Sequence, residues 1–309
     1  MRGAHFVLQI VRAAFSWAGD SERGNLLPSE FRNPFISHAG LLRRPSPDPT
    51  RELPITTEMV VEFVGVCDHY QQQLFLPLVL FGLRASEPVW LFHEDLQRGW
   101  LNVRCHPELD YLTKGQRDKR FPLIESLTEL WENWTHASNT GLLLRRREWD
   151  GNLATDPQSY GDLVTSYHNE CRRRGTASLL ERRQIRDTLM QTAGGLNYDQ
   201  IDGEFRRLAR QLSWKPNATL KGFRHLFATA LENSGCPETY RRFFLGHSPG
   251  RAASLSYTHL DQLGRHFRHF LDGEYAGIVA AFQRLIRPLQ QPNSQSDSKS
   301  QLYRVSSAS

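Results

Sequence analysis

The stretch RRFFLGHSPGRAASLSYTHL, residues 241–260, holds a glycine–histidine pair, Gly246 and His247, ten residues before Tyr257. Upstream lies LKGFRHLFATALENSGCP, which contributes Lys221, Arg224 and His225. A tyrosine hydroxyl, with a reference pKa near 10, is a poor nucleophile until it is placed and deprotonated. Arginine forks onto anionic oxygens and keeps its charge, which makes it a good clamp and a poor proton donor. Of the 38 basic residues only Lys114, Lys119, Lys215, Lys221 and Lys299 are lysine, so a lysine acid has five candidates. Tyrosine, arginine, lysine and histidine together suit nucleophilic attack on an anionic, phosphate-like centre. His259, His266 and His269 lack a carboxylate or cysteine partner at ligand spacing, so no metal site is expected.

Elements must hold these residues. FVLQIVRAAFSWA, near the start, carries Val7, Val11, Ala14, Phe15 and Ala18 at helical spacing. Arg12 interrupts it and no cleavage site follows, so an amphipathic helix over 1–20 is read rather than a signal peptide. Residues 21–54 are rich in Pro, Ser, Arg and Asn and read as a linker. Thr56 or Thr57 can cap a second helix with Glu58 in its first turn. A third is expected over 72–92, bent near Gly82 and Pro88, with Glu87 one turn after Arg84 and able to pair with it. GWLNVR and DKRFPL alternate as strands, with Pro122 at a strand end and the polar turn TKGQRD before the second. Helices follow over 125–135, near 159–174 and 178–192, and from 202 to 288 with breaks at Pro216, Gly235, Gly246 and Gly264. Residues 289–309 are low in complexity and read as disordered.

Bulk properties narrow the class. The net charge is +5, the sequence pI about 9.1 and the mean hydropathy −0.52. No apolar run approaches the roughly 18 residues of a membrane span. The four cysteines, Cys67, Cys105, Cys171 and Cys236, form no CxxC pair and read as free thiols of a reducing cytoplasm. The runs Arg145–Arg147 and Arg172–Arg174 suit a solvated face or phosphate contacts.

Four blocks occur in order: GLRASE with Arg84, TKGQRDKRFPL with Lys114, KGFRHLFATAL with Lys221 and Arg224, and LGHSPGRAASLSYTHL with His247 and Tyr257. In this order they resemble the catalytic domain of the tyrosine recombinases, the phage integrase family, over roughly residues 54–265. The resemblance implies an α+β fold, mostly α-helical, with a small antiparallel β-sheet. It implies a site-specific recombinase of a mobile element that cuts and rejoins double-stranded DNA through a 3′-phosphotyrosyl intermediate. Arg84 and Arg224 would clamp the phosphate, Lys114 act as general acid, Lys221 and His247 assist, and Tyr257 attack. Lys221 stands where the family usually has histidine. No cofactor is implied. A homo-tetramer on DNA is, with a helix after the tyrosine, residues 264–287, docked on a neighbouring protomer through Phe267, Leu271, Ile278, Phe282 and Leu285. The expected domains are 1–53, a remnant of an N-terminal core-binding domain (its last helix and a linker), 54–288, the catalytic domain, and 289–309, the tail. A type IB topoisomerase and an inactive DNA-binding remnant are the alternative readings.

Overall fold

The structure is a computed structural model that describes residues 2–36 apart from 21, 23 and 29, then 55–124, 127, 140–149, 159–175, 178–247 and 260–284. The expected helix at 125–135, apart from residue 127, and the expected disordered tail at 289–309 fall outside the described residues. The chain divides into two units, Met1–Glu52 and Leu53–Ser309.

Among the described residues of the first unit, α1 (Arg2–Ala18) is followed by a short return segment. Phe15 stacks on Phe31 with centroids 5.7 Å apart and leans on Phe35 at 5.5 Å. Asn33 Nδ2 donates to Arg12 O and Ser16 Oγ, both at 2.8 Å. The opposite side of α1 leaves Phe6, Val7, Ile10 and Trp17 exposed.

The second unit opens with α2 (Thr57–Val66), whose N-cap is Thr56; its hydroxyl accepts from Met59 N. Asp68 and Gln71 form a capping box at the start of α3 (His69–Leu80). This helix is shorter than expected. Gly82 takes φ +56°, and a Cβ there would sit 2.4 Å from the Phe227 ring, so only glycine fits and the helix ends before it. Arg84 therefore sits in the turn after α3, not on a helix.

A three-stranded antiparallel sheet follows, β1 (Leu96–Gln97), β2 (Trp100–Val103) and β3 (Lys119–Pro122), in the order β1-β2-β3. Leu101 faces Phe121 and Val103 faces Lys119 across the ladder. The helices α4 (Tyr160–Arg174), α5 (Leu179–Thr192), α6 (Tyr198–Gln211), α7 (Leu220–Asn233) and α8 (Glu238–Phe244) come next, then α9 (Leu260–Asp272) and α10 (Ala276–Arg284). Among the described residues the second unit is thus mostly helical with one small sheet. No helix among the described residues is long and apolar enough to cross a membrane. All four cysteines are free thiols.

Two aromatic layers organise the core. Phe63 packs on Phe75 at 4.9 Å and on Phe223 at 5.3 Å, joining α2, α3 and α7. Phe81, Phe121, Phe244 and Phe267 form the second layer, with Phe121–Phe244 at 5.5 Å and Phe244–Phe267 at 5.0 Å. It ties β3, α8 and α9 to the end of α3.

The second layer overturns the expectation that the stripe after the tyrosine serves a neighbour. Phe267, Leu271, Ile278 and Phe282 are all within 1 % of full burial in their own domain, and α10 packs on α2, while Leu285, the last of the expected stripe, lies outside the described residues. Gly264 lies inside α9 and opens no hinge there, while Gly273 marks the turn that folds α10 back. The physical reason is area: two amphipathic helices paired through one turn bury more apolar surface against α2 and β3 than one could alone. Phe267→Ala should lower the unfolding free energy of the DNA-free protein by about 3–5 kcal/mol, read by urea denaturation. An unchanged midpoint would place the stripe outside the core.

Candidate active site

Glu87 is the node of the site. It lies in the turn after Arg84 and is 1 % exposed. Its carboxylate accepts from Arg84 N at 2.8 Å and Arg84 Nη1 at 3.0 Å. Lys119 Nζ donates to it at 2.5 Å from β3. The Arg84–Glu87 pairing expected from spacing is present, although a turn rather than a helix supplies it. Burial alone would raise the Glu87 carboxyl, but Lys119 and the Arg84 amide hold it below its ordinary value. Burial pushes Lys119 down to about 8, with Glu87 pulling the other way, so the ammonium is charged at neutral pH.

Arg224, in the second turn of α7, bridges two loops. Its Nη1 donates to Gly82 O at 2.8 Å and its Nη2 donates to Leu245 O. Burial first, and Arg84 second, push its guanidinium down to about 10, which still leaves it cationic. Gly246 has φ +59°, and a Cβ on it would meet Lys119 Cδ at 2.9 Å. Gly115, beside Lys114, comes so close that a Cβ there would lie 2.4 Å from Gly246 O. The glycines of the GH and KG pairs are thus needed for close approach of backbone and of the Lys119 stem. His247 follows, its amide donating to Arg242 O at 2.9 Å. Partial burial, then Arg224 and Arg84, lower its pKa, so the imidazole is neutral at physiological pH.

Arg84, Lys114 and His247 line one open cleft of about 620 Å³, together with Arg241 and Arg242. Arg224 is not among the lining residues but donates to the carbonyl of Leu245, which is. Lys221 is exposed in the first turn of α7, one turn before Arg224, and does not line the cleft. Tyr257 lies outside the described residues; the segment that carries it leaves from His247 at the cleft wall and ends at α9. Glu238 also lines the cleft and pairs with Arg242 at 2.7 Å, while Arg241 pairs with Glu232 at 2.8 Å. The excess of cations over carboxylates fits a phosphate-sized anion.

The family model for the phage integrase family matches residues 55–263, about two thirds of the chain. The chain belongs to the phage integrase family. It is a tyrosine-type site-specific recombinase, and the matched span contains all six residues singled out in its sequence. Two solved structures are similar to this recombinase. One is the integrase from mycobacterium phage Brujita, 14% identical, covering 87% of this chain and 72% of its own, with a TM-score of 0.45. The other is the Tn1549 transposon integrase in complex with transposon right end DNA, 17% identical, covering 90% and 78%, also at 0.45. None of the curated proteins matches it.

Sequence reasoning missed the role of Lys119. Its signal was the alternation of DKRFPL, which puts Lys119 and Phe121 on one face of β3, the buried one. Arg241 and Arg242 were legible only as the start of the histidine block. Glu87→Gln should cost about 3–5 kcal/mol of stability at neutral pH, because it leaves Lys119 buried without its counter-charge. The folded-state pKa of Glu87 is depressed below its ordinary 4.5, so this contribution is complete above that value and lost as pH falls through the folded value. Urea unfolding of both proteins across pH would read it. A difference that does not shrink in acid would show that the charge is not what holds the turn.

Proposed function

We propose that this recombinase cuts and rejoins double-stranded DNA through a 3′-phosphotyrosyl intermediate, with Tyr257 as nucleophile. The observation that carries the reading is the convergence of Arg84, Lys114 and His247 on one cleft, with Arg224 bonded to the carbonyl of Leu245, another lining residue. Arg84 and Arg224 hold the nonbridging oxygens and stabilise the charge that grows on them in the transition state. The Tyr257 oxygen, losing its proton, forms the new bond to phosphorus, and the bond from phosphorus to the 5′ oxygen breaks. Lys114 gives a proton to that leaving oxygen. His247, neutral in its surroundings, hydrogen-bonds the phosphate or takes up a proton. Lys221 supplies a further cation near the bound backbone. The phosphotyrosyl bond conserves the phosphodiester energy, so attack by a 5′ hydroxyl reverses the step without ATP or metal.

Four copies on two duplexes, acting in the cytoplasm, complete the reading, with residues 1–53 as the last helix and exit linker of a DNA-clamping domain. The family match does not favour the topoisomerase or the inactive remnant.

A suicide substrate, nicked so that the cleaved strand end is lost, traps the covalent product. Tyr257→Phe should abolish that product and leave duplex affinity nearly unchanged; an adduct persisting in the Phe variant would place the nucleophile elsewhere. Arg84→Ala and Arg224→Ala should each slow single-turnover cleavage about 10²–10³-fold, from loss of one preorganised donor worth about 2.7–4 kcal/mol. Cleavage at the unaltered rate would remove that arginine from the clamp.

A further inference from the structure

Lys114 sits at the tip of the segment 104–118, which links β2 to β3. This segment is no bare hairpin. Its first half is closed into a loop by a small ladder in which His106 N donates to Tyr111 O at 2.8 Å and Tyr111 N returns to His106 O at 3.0 Å. Its tip is closed by Thr113, whose hydroxyl donates to Arg117 O at 3.0 Å and accepts from Arg117 N at 3.1 Å. Inside the loop this ladder closes, Asp110 ends a short helical turn at φ +51°, a left-handed cap geometry that aspartate adopts more readily than most residues.

Those surroundings are α4 and α5. The two helices pack on each other and bury an apolar cluster of their own, with Trp90, Leu109, Leu163, Tyr167 and Ile185, separate from the main core. Their polar contacts converge on Asp110. Tyr167 OH donates to Asp110 Oδ2 at 2.5 Å. Arg182 Nε lies 3.2 Å from the same oxygen. Arg186 Nη1 donates to Asp110 O at 2.9 Å. The Arg186 guanidinium also lies 5.2 Å from the Trp90 ring centroid, and Trp90 stacks on Tyr111 at 4.1 Å. Three residues beyond Tyr111 comes Lys114. Apolar burial of Leu109 would be enough to seat α4 and α5. It would not fix the orientation of a residue four positions before the lysine; two hydrogen bonds, from Tyr167 to the Asp110 carboxylate and from Arg186 to its carbonyl, together with the Arg182 ion pair, do.

We propose that the α4–α5 pair is a positioning device for the lysine segment, with Asp110, Tyr167 and Arg182 as positioning residues that aim Lys114 at the leaving oxygen. The inference rests on the reading of Lys114 as proton donor. Helices bearing none of the residues that touch the phosphate thereby set the efficiency of its proton transfer.

The test compares two suicide substrates, one with the ordinary 5′ oxygen at the scissile phosphate and one with a 5′-bridging sulfur. A thiolate is a far weaker base than an alkoxide and leaves without a proton, so a defect confined to proton delivery disappears on the sulfur substrate. The full chain carrying Tyr167→Phe with Arg182→Ala keeps the aromatic ring in its cluster. It should cleave the oxygen substrate about 10–100-fold more slowly, the scale of a small misplacement of a catalytic group. On the sulfur substrate it should match the unaltered protein, and its duplex affinity should not change. Lys114→Ala, run alongside, should show the same pattern with a larger loss on oxygen. An unaltered rate on oxygen would overturn the inference. Equal loss on both substrates would overturn it too, since the helices would then serve the fold and not the lysine. Failure of sulfur to rescue Lys114→Ala would instead overturn the proton-donor reading of Lys114, and this inference with it.

Discussion

The buried pair between Lys119 and Glu87 is the constraint around which the recombinase's site is assembled. Both side chains are 1 % exposed, so neither charge has water to solvate it, and each depends on the other. Glu87 also grips the backbone and guanidinium of Arg84, which aims that arginine. The Lys119 stem runs beneath Gly246, the residue before His247. One ion pair thus connects the turn after α3, the strand after the lysine segment and the turn after α8. A hydrophobic pair of the same volume could be equally stable. It would not orient Arg84, and that is the physical reason for a charge here.

Around this pair the aromatic layer of Phe81, Phe121, Phe244 and Phe267 acts as a floor. Each ring belongs to an element that leads directly into the site. Phe81 precedes Arg84, Phe121 follows Lys119, and Phe244 precedes His247. Phe267 lies on the helix that follows the tyrosine. Close packing of rigid rings transmits position with little slack. The arginine Arg224 performs the same service with hydrogen bonds, tying Gly82 and Leu245 to α7.

The cleft is therefore made rigid from below and from one side by separate means. The main core supports Arg84, Arg224 and His247. The lysine segment has its own support, the smaller cluster of α4 and α5, and meets the rest where Gly115 touches Gly246. The two clusters adjoin along residues 89–92 and 142–144, and Val89 packs on both.

Much of this was legible before any coordinates. Local chemistry placed α2 at its Thr56 cap, and α4 and α5 close to their true bounds. The alternation of GWLNVR and DKRFPL placed β2 and β3, because alternation and capping act between near neighbours in the chain. Residue types and block order singled out Arg84, Lys114, Lys221, Arg224, His247 and Tyr257, of which Arg84, Lys114 and His247 line one cleft. Other features depended on partners far away in sequence. α3 ends at Gly82 because Phe227 occupies the space a Cβ would need. Lys119 is buried because Glu87 waits across the core, and the helices after the tyrosine face inward because α2 and β3 offer them an apolar surface. The sequence by itself determined which groups this protein has for phosphoryl chemistry and the elements that carry them. Only the tertiary structure decided which of those groups share a cleft, since distance and burial arise from contacts between residues that are remote along the chain.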